Sequence, residues 1–469
     1  MCASSLIIGF LILGLTIPSW AQDSHPDIPK AWDDNAVEGL EVPLAQRDRS
    51  PRQMRSEQYY KLKVRPIYRS YLVTGREPAG YVDSLKQKDP EIIFDPSKLH
   101  SKEDWVAAGK LVFEADIRFF PAAAEPPANA RYYIRKKGLL ELGTGASCAG
   151  CHRREMPDGT SLEGGPSITS LPKAVVLRAK QANPEQLRRR VEILWSTYGA
   201  PWVTSRQEIE ERYTSEEYAQ ELAAICCGVI DRQGTSATHP VHIPSLIGAQ
   251  DRKYLDATGL VRNRSLGDLM RYAILNQGLD TLAHFGDFKP GPTLFGPEEG
   301  TRYSDEQLYA LALYIYSLKP PPNPNKFDEH ASHGQIIFQE QGCESCHTPP
   351  LYTNNKLTPA LGFKIPDDLR KTDDILDICV GTDPYLALKT RRGTGFYKVP
   401  SLQGVWFRSA FGHGGQANTL EEWLDPARLN PDYVPKGFHM GSGPIQGHPF
   451  GLNLSTPDKQ DLIAFLRTL

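Results

Sequence analysis

In the stretch GTGASCAGCHRREMPDG, residues 143 to 159, two thiols and an imidazole (Cys148, Cys151 and His152) fall within five positions. The same C-x-x-C-H pattern returns as Cys343, Cys346 and His347 in QGCESCHTPP. It is the attachment signature of c-type haem: each thiol bonds to a vinyl group, and the histidine becomes the proximal ligand of the iron. A thioredoxin-like dithiol needs no histidine and opens a βαβ unit, a pattern not found here. A zinc site needs two further ligands nearby, and neither copy has them. Two copies in a chain with only eight cysteines in 469 residues predict two covalently bound haem c groups. The fold must then supply two haem pockets.

The N-terminus fits that chemistry. An apolar run from Leu6 to Ile17, too short to span a bilayer, precedes Ser19-Trp20-Ala21, a small-x-small cleavage signal before Gln22. Residues 1–21 read as a signal peptide that sends the chain to the periplasm. Eight cysteines are too sparse for a disulfide scaffold, and Cys226, Cys227 and Cys379 read as one structural disulfide or as buried thiols. A formal net charge of -3 with both signs well mixed speaks against nucleic acid as a partner.

A repeated ending organises the rest. SDEQLYALALYIYSL (304–318) aligns without gaps to STPDKQDLIAFLRTL (455–469), matching Leu311 with Leu462 and Tyr314 with Phe465. The apolar positions have helical spacing, and Ser304 and Ser455 are candidate N-caps, so each segment is an amphipathic helix that closes one haem domain. The proline-rich KPPPNPNK after the first cannot continue a helix. The expected organisation is an N-terminal cap or wrapping segment (22–103), a first domain with insertions (104–319), a linker (320–329) and a second domain (330–469). The order helix, C-x-x-C-H, loops, terminal helix is similar to the class I cytochrome c fold, here present twice. The fold class is therefore mainly α, with long loops and the cap.

The segment YKVPSLQGVWFRSAFGHGGQANTLEEWLDP (397–426) resembles the bacterial di-haem cytochrome c peroxidase superfamily. The matching features are Val399-Pro400-Ser401-Leu402, the turn Phe411-Gly412-His413-Gly414-Gly415 and Thr419-Leu420-Glu421-Glu422. CHTPPLYTNNKLTPALGF (346–363) also looks like the loop after that family's second haem. The resemblance is strong from about residue 330 onward and thin between 160 and 300. It implies that one haem is reactive while the other relays electrons. His413 is then expected to contact haem or a propionate, and calcium would sit near the carbonyls of Val399 to Ser401. Trp406, Trp195 and Trp202 are candidate electron relays.

In that family the second haem takes its distal ligand just before the C-terminal helix. Here the aligned residue is Ile445, which cannot ligate iron, and His448 is the nearest donor, with Met440 and His439 as alternatives. The expected metal ligands are thus His152 for the first haem and His347 with His448 for the second. Bis-histidine ligation lowers the potential relative to histidine–methionine. For the first haem, His239, His242 and Met270 are outside candidates for a sixth ligand, and no catalytic acid or base can be assigned. Glu208, Glu210 and Glu211 lie near the family's distal glutamate in sequence without a residue-by-residue match, and a solvated helix face explains them better. The resemblance implies an oxidoreductase that activates hydrogen peroxide or dioxygen at the first haem, with electrons from a small donor such as a cytochrome c or cupredoxin. Homodimers are frequent in the family. The rival readings are a di-haem dioxygenase acting on an apolar substrate and an electron-transfer cytochrome without a substrate.

Overall fold

The computed structural model describes residues 26–122, 129–168, 173–225, 228–230, 239–276, 283–291 and 301–469. The expected signal peptide, Cys226 and Cys227 lie outside the described residues. Helices dominate, accompanied by small sheets of two to four strands.

Two helix crossings form the frame. The Lys102–Glu114 helix starts at a capping box of Ser101 and Asp104 and buries Trp105, Ala108, Gly109, Val112 and Phe113, one stripe at helical spacing. It packs across the Asp305–Ser317 helix, which is capped by Ser304 as its sequence implies. At the crossing the backbones nearly touch. A Cβ on Gly109 would lie 2.0 Å from the Ala310 carbonyl oxygen and 2.7 Å from Tyr314 Cβ. The second crossing repeats the first. The Glu329–Glu340 helix meets the Thr456–Arg467 helix, capped by Ser455, and a Cβ on Gly334 would lie 1.9 Å from the Asp461 carbonyl oxygen and 2.9 Å from Phe465 Cβ. Ala310 and Asp461, like Tyr314 and Phe465, are aligned positions of the repeated ending. The repeat seen in sequence is therefore also a repeat of packing.

The N-terminal segment wraps instead of forming a core of its own. Trp32, Leu40, Leu44, Tyr59 and Ile67 are buried among the helices of the first crossing. Val42 inserts into a different cluster with Leu357, Ile365 and Phe396. Ala45 N–H donates to the Gly393 carbonyl (2.8 Å), and Arg47 pairs with Asp368. This segment thus staples the regions of the two motifs together. Its periodicity is weak because each apolar residue serves a different neighbour.

One sheet was not legible from the mainly helical pattern. Ser70–Val73 pairs antiparallel with Ala130–Lys136, which continues through Leu139–Gly143 to Phe119–Pro121. Two further pairings, Pro51–Arg52 with His284–Phe285 and Lys63–Val64 with Thr301–Arg302, stitch the wrap to the first region.

Since a methyl group at either glycine must displace a backbone carbonyl, Gly109→Ala and Gly334→Ala should each lower stability by about 1–3 kcal/mol in urea unfolding. A surface cluster adds a pH-dependent element at the second crossing. His330 and His333 both donate from Nδ1 to Asp461, at 2.6 and 2.7 Å. The bonds raise the His330 pKa and lower that of Asp461. The His330 contribution is complete below the ordinary histidine pKa and is lost as pH rises through its raised value. The Asp461 contribution is present above the ordinary carboxylate pKa and is lost on acidification. The stability gap between wild type and Asp461→Asn should therefore be widest at mildly acidic pH and narrow on either side. Unfolding midpoints measured from pH 4 to 8 check this.

Candidate haem centres

The two motifs are built alike. In the first, Ser147 caps a single turn, Cys148–Cys151, and His152 N–H donates to the Cys148 carbonyl (2.9 Å). In the second, Cys343–Ser345 forms a tight turn and His347 N–H donates to the Cys343 carbonyl (2.8 Å). Each turn folds its histidine back over the first cysteine. Each imidazole is then held by a backbone carbonyl: His152 Nδ1 at Pro244 O (3.0 Å) and His347 Nδ1 at Tyr352 O (3.1 Å). Such a bond fixes the tautomer with the proton on Nδ1, so that Nε2 carries the lone pair a metal needs.

His448 stands against His347, with ring centroids 6.4 Å apart. Two imidazoles on one metal, each bonded at about 2.0 Å with its ring centre about 1.1 Å beyond the nitrogen, have centroids about 6.2 Å apart. The observed spacing fits one iron between them. Burial keeps both rings neutral, pushing His347 below its ordinary pKa and His448 down to about 3, and the buried His448 Nδ1 has no hydrogen-bond partner. The other two donors fit less well. Met440 is 48% exposed, and His439 Nδ1 is held by Gly437 O at 2.9 Å.

Arg428, which belongs to no local motif, sets the His448 loop. Its fully buried guanidinium donates to the carbonyls of Ile445, Gly447 (2.8 Å) and His448 (2.9 Å), and it lies over Trp423, which itself packs on His448 at 5.6 Å. His448 has φ of 49°, a left-handed conformation uncommon outside glycine that the surrounding structure must enforce. Gly447 lies so close to Thr382 that a Cβ would come within 2.4 Å of its backbone nitrogen. His448 N–H donates to Val380 O (2.7 Å). The loop is thus held from both sides.

A second group missing from the sequence reading is cationic. Lys398, Arg408 and Arg252 act on one another, and burial together with this mutual repulsion pushes Lys398 down to about 7 and Arg408 to about 9. Asp256, the acid beside them, pairs with Arg392 at 2.8 Å. The buried Nε of Arg408 and that of Arg154 have no partner. Excess positive charge at this depth requires anions, and the two propionate carboxylates of a haem have the matching chemistry. Val399 O accepts from Thr353 (2.7 Å) and Ser401 O from Arg408 (2.8 Å).

The remaining candidates are dispersed. His239 stacks on Tyr385 (3.6 Å), His242 N–H donates to His413 O (3.1 Å), and Met270 is fully buried in the apolar cluster that includes Ala149 of the first motif. The His413 ring stacks on Tyr397 at 4.6 Å and lines a small cavity. Trp195 lies in a π-helical turn, Leu194–Tyr198, against Phe288, and Trp202 stacks on Phe285. Trp406 meets Phe407 edge-on. The three glutamates belong to an exposed helix, Arg206–Arg212: Glu208 closes its capping box, Glu210 pairs with Arg206, and Glu211 accepts from Gln207. Cys379 is exposed.

No family model matches the chain. It is 26% identical over 158 residues to cytochrome-c peroxidase IdrP2 of Pseudomonas sp. (strain SCT), covering 30% of this chain and 39% of that protein. It is 25% identical over 184 residues to methylamine utilization protein MauG of Methylorubrum extorquens, covering 37% and 46%. The chain therefore spans less than half the length of the curated relatives it matches. Among solved structures, the diheme peroxidase BthA of Burkholderia thailandensis E264 aligns over 85% of this chain and 94% of its own at 18% identity, with a TM-score of 0.29. That superposition is too loose to define a shared fold. The sequence relatives carry the names of a cytochrome-c peroxidase and of MauG, so the chain is similar to the bacterial di-haem cytochrome c peroxidase and MauG superfamily. Haem is the cofactor implied by those relatives.

Arg428→Met removes the donor from four carbonyls, those of Ile445, Gly447 and His448 and, through Nε, that of Trp423 (2.7 Å), and each one left buried and unsatisfied costs about 1–3 kcal/mol. The variant should unfold at lower urea, and its ferric electron paramagnetic resonance spectrum should gain a high-spin signal as His448 is released. An unchanged spectrum would show that His448 keeps its place without Arg428.

Proposed function

We propose that this chain is a periplasmic di-haem c-type oxidoreductase in which the site at His152 activates hydrogen peroxide or dioxygen. The site at His347 and His448 relays electrons from a small redox donor. The observation that carries this reading is the facing pair of part-buried, neutral imidazoles 6.4 Å apart. Two protein ligands close a metal to substrate, so the second site suits electron transfer, and binding of the oxidant falls to the first. A bound haem supplies reversible one-electron chemistry and an axial position for the oxidant.

The chain's own residues would do the rest. Cys148 with Cys151, and Cys343 with Cys346, would form the thioether links. Pro244 O and Tyr352 O would hold the proximal rings by their Nδ1 protons. Lys398, Arg408 and Arg252 would offset the propionates. The two glycine crossings would close two cytochrome c-like domains of class I type, 104–319 and 330–469, with residues 22–103 as the cap and 320–329 as the linker. Residues 1–21 would direct export. Among the described residues no helix is long and apolar enough to cross a membrane.

Bis-histidine ligation also favours a second reading. It lowers the potential and so weakens the drive from a high-potential donor, as suits an oxygenase working on an apolar substrate without an external donor.

The test is cyanide binding followed by turnover. The ferric protein should bind one cyanide per two haems, and the His448→Ala variant should bind two. Peroxide-dependent oxidation of a reduced cytochrome c or cupredoxin supports the peroxidase reading, whereas cyanide binding without turnover supports the oxygenase. A wild-type protein whose two haems both ignore cyanide and peroxide would be an electron carrier.

A further inference from the structure

The Phe411–Gly415 turn sets His413 against the wall of a cavity of about 100 Å³, bounded by Asp383, Gln416, Trp423 and residues 444–446. The walls are polar, and at about 30 Å³ per molecule the space suits about three waters. His413 Nδ1 is buried and has no hydrogen-bond partner in the protein. A neutral imidazole on the wall of a water-sized cavity is a place where a proton can be delivered.

The position of His413 gives this meaning. On one side, Trp423 is both a wall of the cavity and a neighbour of His448 at 5.6 Å. On the other, the His413 carbonyl accepts from His242 N–H, two residues before Pro244, whose carbonyl holds His152. His413 therefore lies between the walls of the two candidate haem sites. The charges around it are mixed. Asp383 favours the imidazolium and His239, stacked on Tyr385, opposes it. Tyr397 stacks on the ring and donates its hydroxyl to Asp383 O (2.6 Å), while Lys398 and Arg408 act on the adjoining His242.

We propose that His413 is a redox-linked proton acceptor served by water in this cavity. When a one-electron donor reduces the His347/His448 site, a solvent proton passes through the cavity and forms an N–H bond on His413. Both the electron and the proton leave on reoxidation. The inference rests on the reading of that pair as a haem site. Burial holds the His413 pKa at about 4 before reduction, so the ring is neutral at rest, and the added electron makes the imidazolium more favourable.

The experiment is spectroelectrochemical titration of the holoprotein between pH 4.5 and 8. The wild-type potential of the low-spin haem should rise as pH falls towards 4.5. His413→Gln and His413→Phe should abolish the rise, and Asp383→Asn should move it to lower pH. Should the His413 variants fail to fold, a pH-indicator dye in weakly buffered wild type should report proton uptake on dithionite reduction at pH 5. A flat wild-type potential, absence of uptake, or a rise that survives both His413 substitutions (as titrating propionates would give) overturns the proposal. A preparation lacking a c-type haem spectrum would refute the underlying reading of the site instead.

Discussion

Close backbone contact at two glycines is the constraint on which the structure depends. Gly109 and Gly334 let two pairs of helices approach until a side chain at either position would strike a carbonyl. Everything else hangs from these crossings. The Cys148 turn packs against the first helix of one pair, and the Cys343 turn follows directly from the first helix of the other. Because each crossing uses aligned positions of the repeated ending, the two motifs emerge from equivalent frames. The N-terminal wrap ties those frames together through Val42, Ala45 and Arg47.

The buried polar groups form a coherent second layer. His347, His448, His242 and His413 are all held neutral by burial, the state in which an imidazole can donate a lone pair or accept a proton. Beside them stand Lys398, Arg408 and Arg252, part-buried basic groups whose charge is costly without a counter-charge. Neutral bases and excess cations in one region match the needs of an iron porphyrin, which offers a metal to the first and carboxylates to the second.

What was legible in the sequence follows from how local each signal is. Cys148 to His152 and Cys343 to His347 lie within single turns, so their spacing alone implied their geometry. Ser304 and Ser455 cap the helices they were expected to cap because a cap acts over three residues. His448 could be chosen over Met440 by counting from the terminal helix, and it is the ring found against His347. Non-local features were hidden. Arg428 acts through loop carbonyls some twenty residues away, Lys398 gains meaning only beside Arg408 and Arg252, and the sheet joins strands separated by an insertion. The weak pattern of the wrap concealed a segment whose apolar residues are among the most buried in the chain.

Whether His347 and His448 share one iron is read by near-infrared magnetic circular dichroism of the ferric holoprotein, because that band reports the axial ligands of a low-spin haem. The wild type should show a bis-imidazole band that disappears in His448→Ala. A histidine–methionine band, or a bis-imidazole band that survives the substitution, would contradict the shared iron.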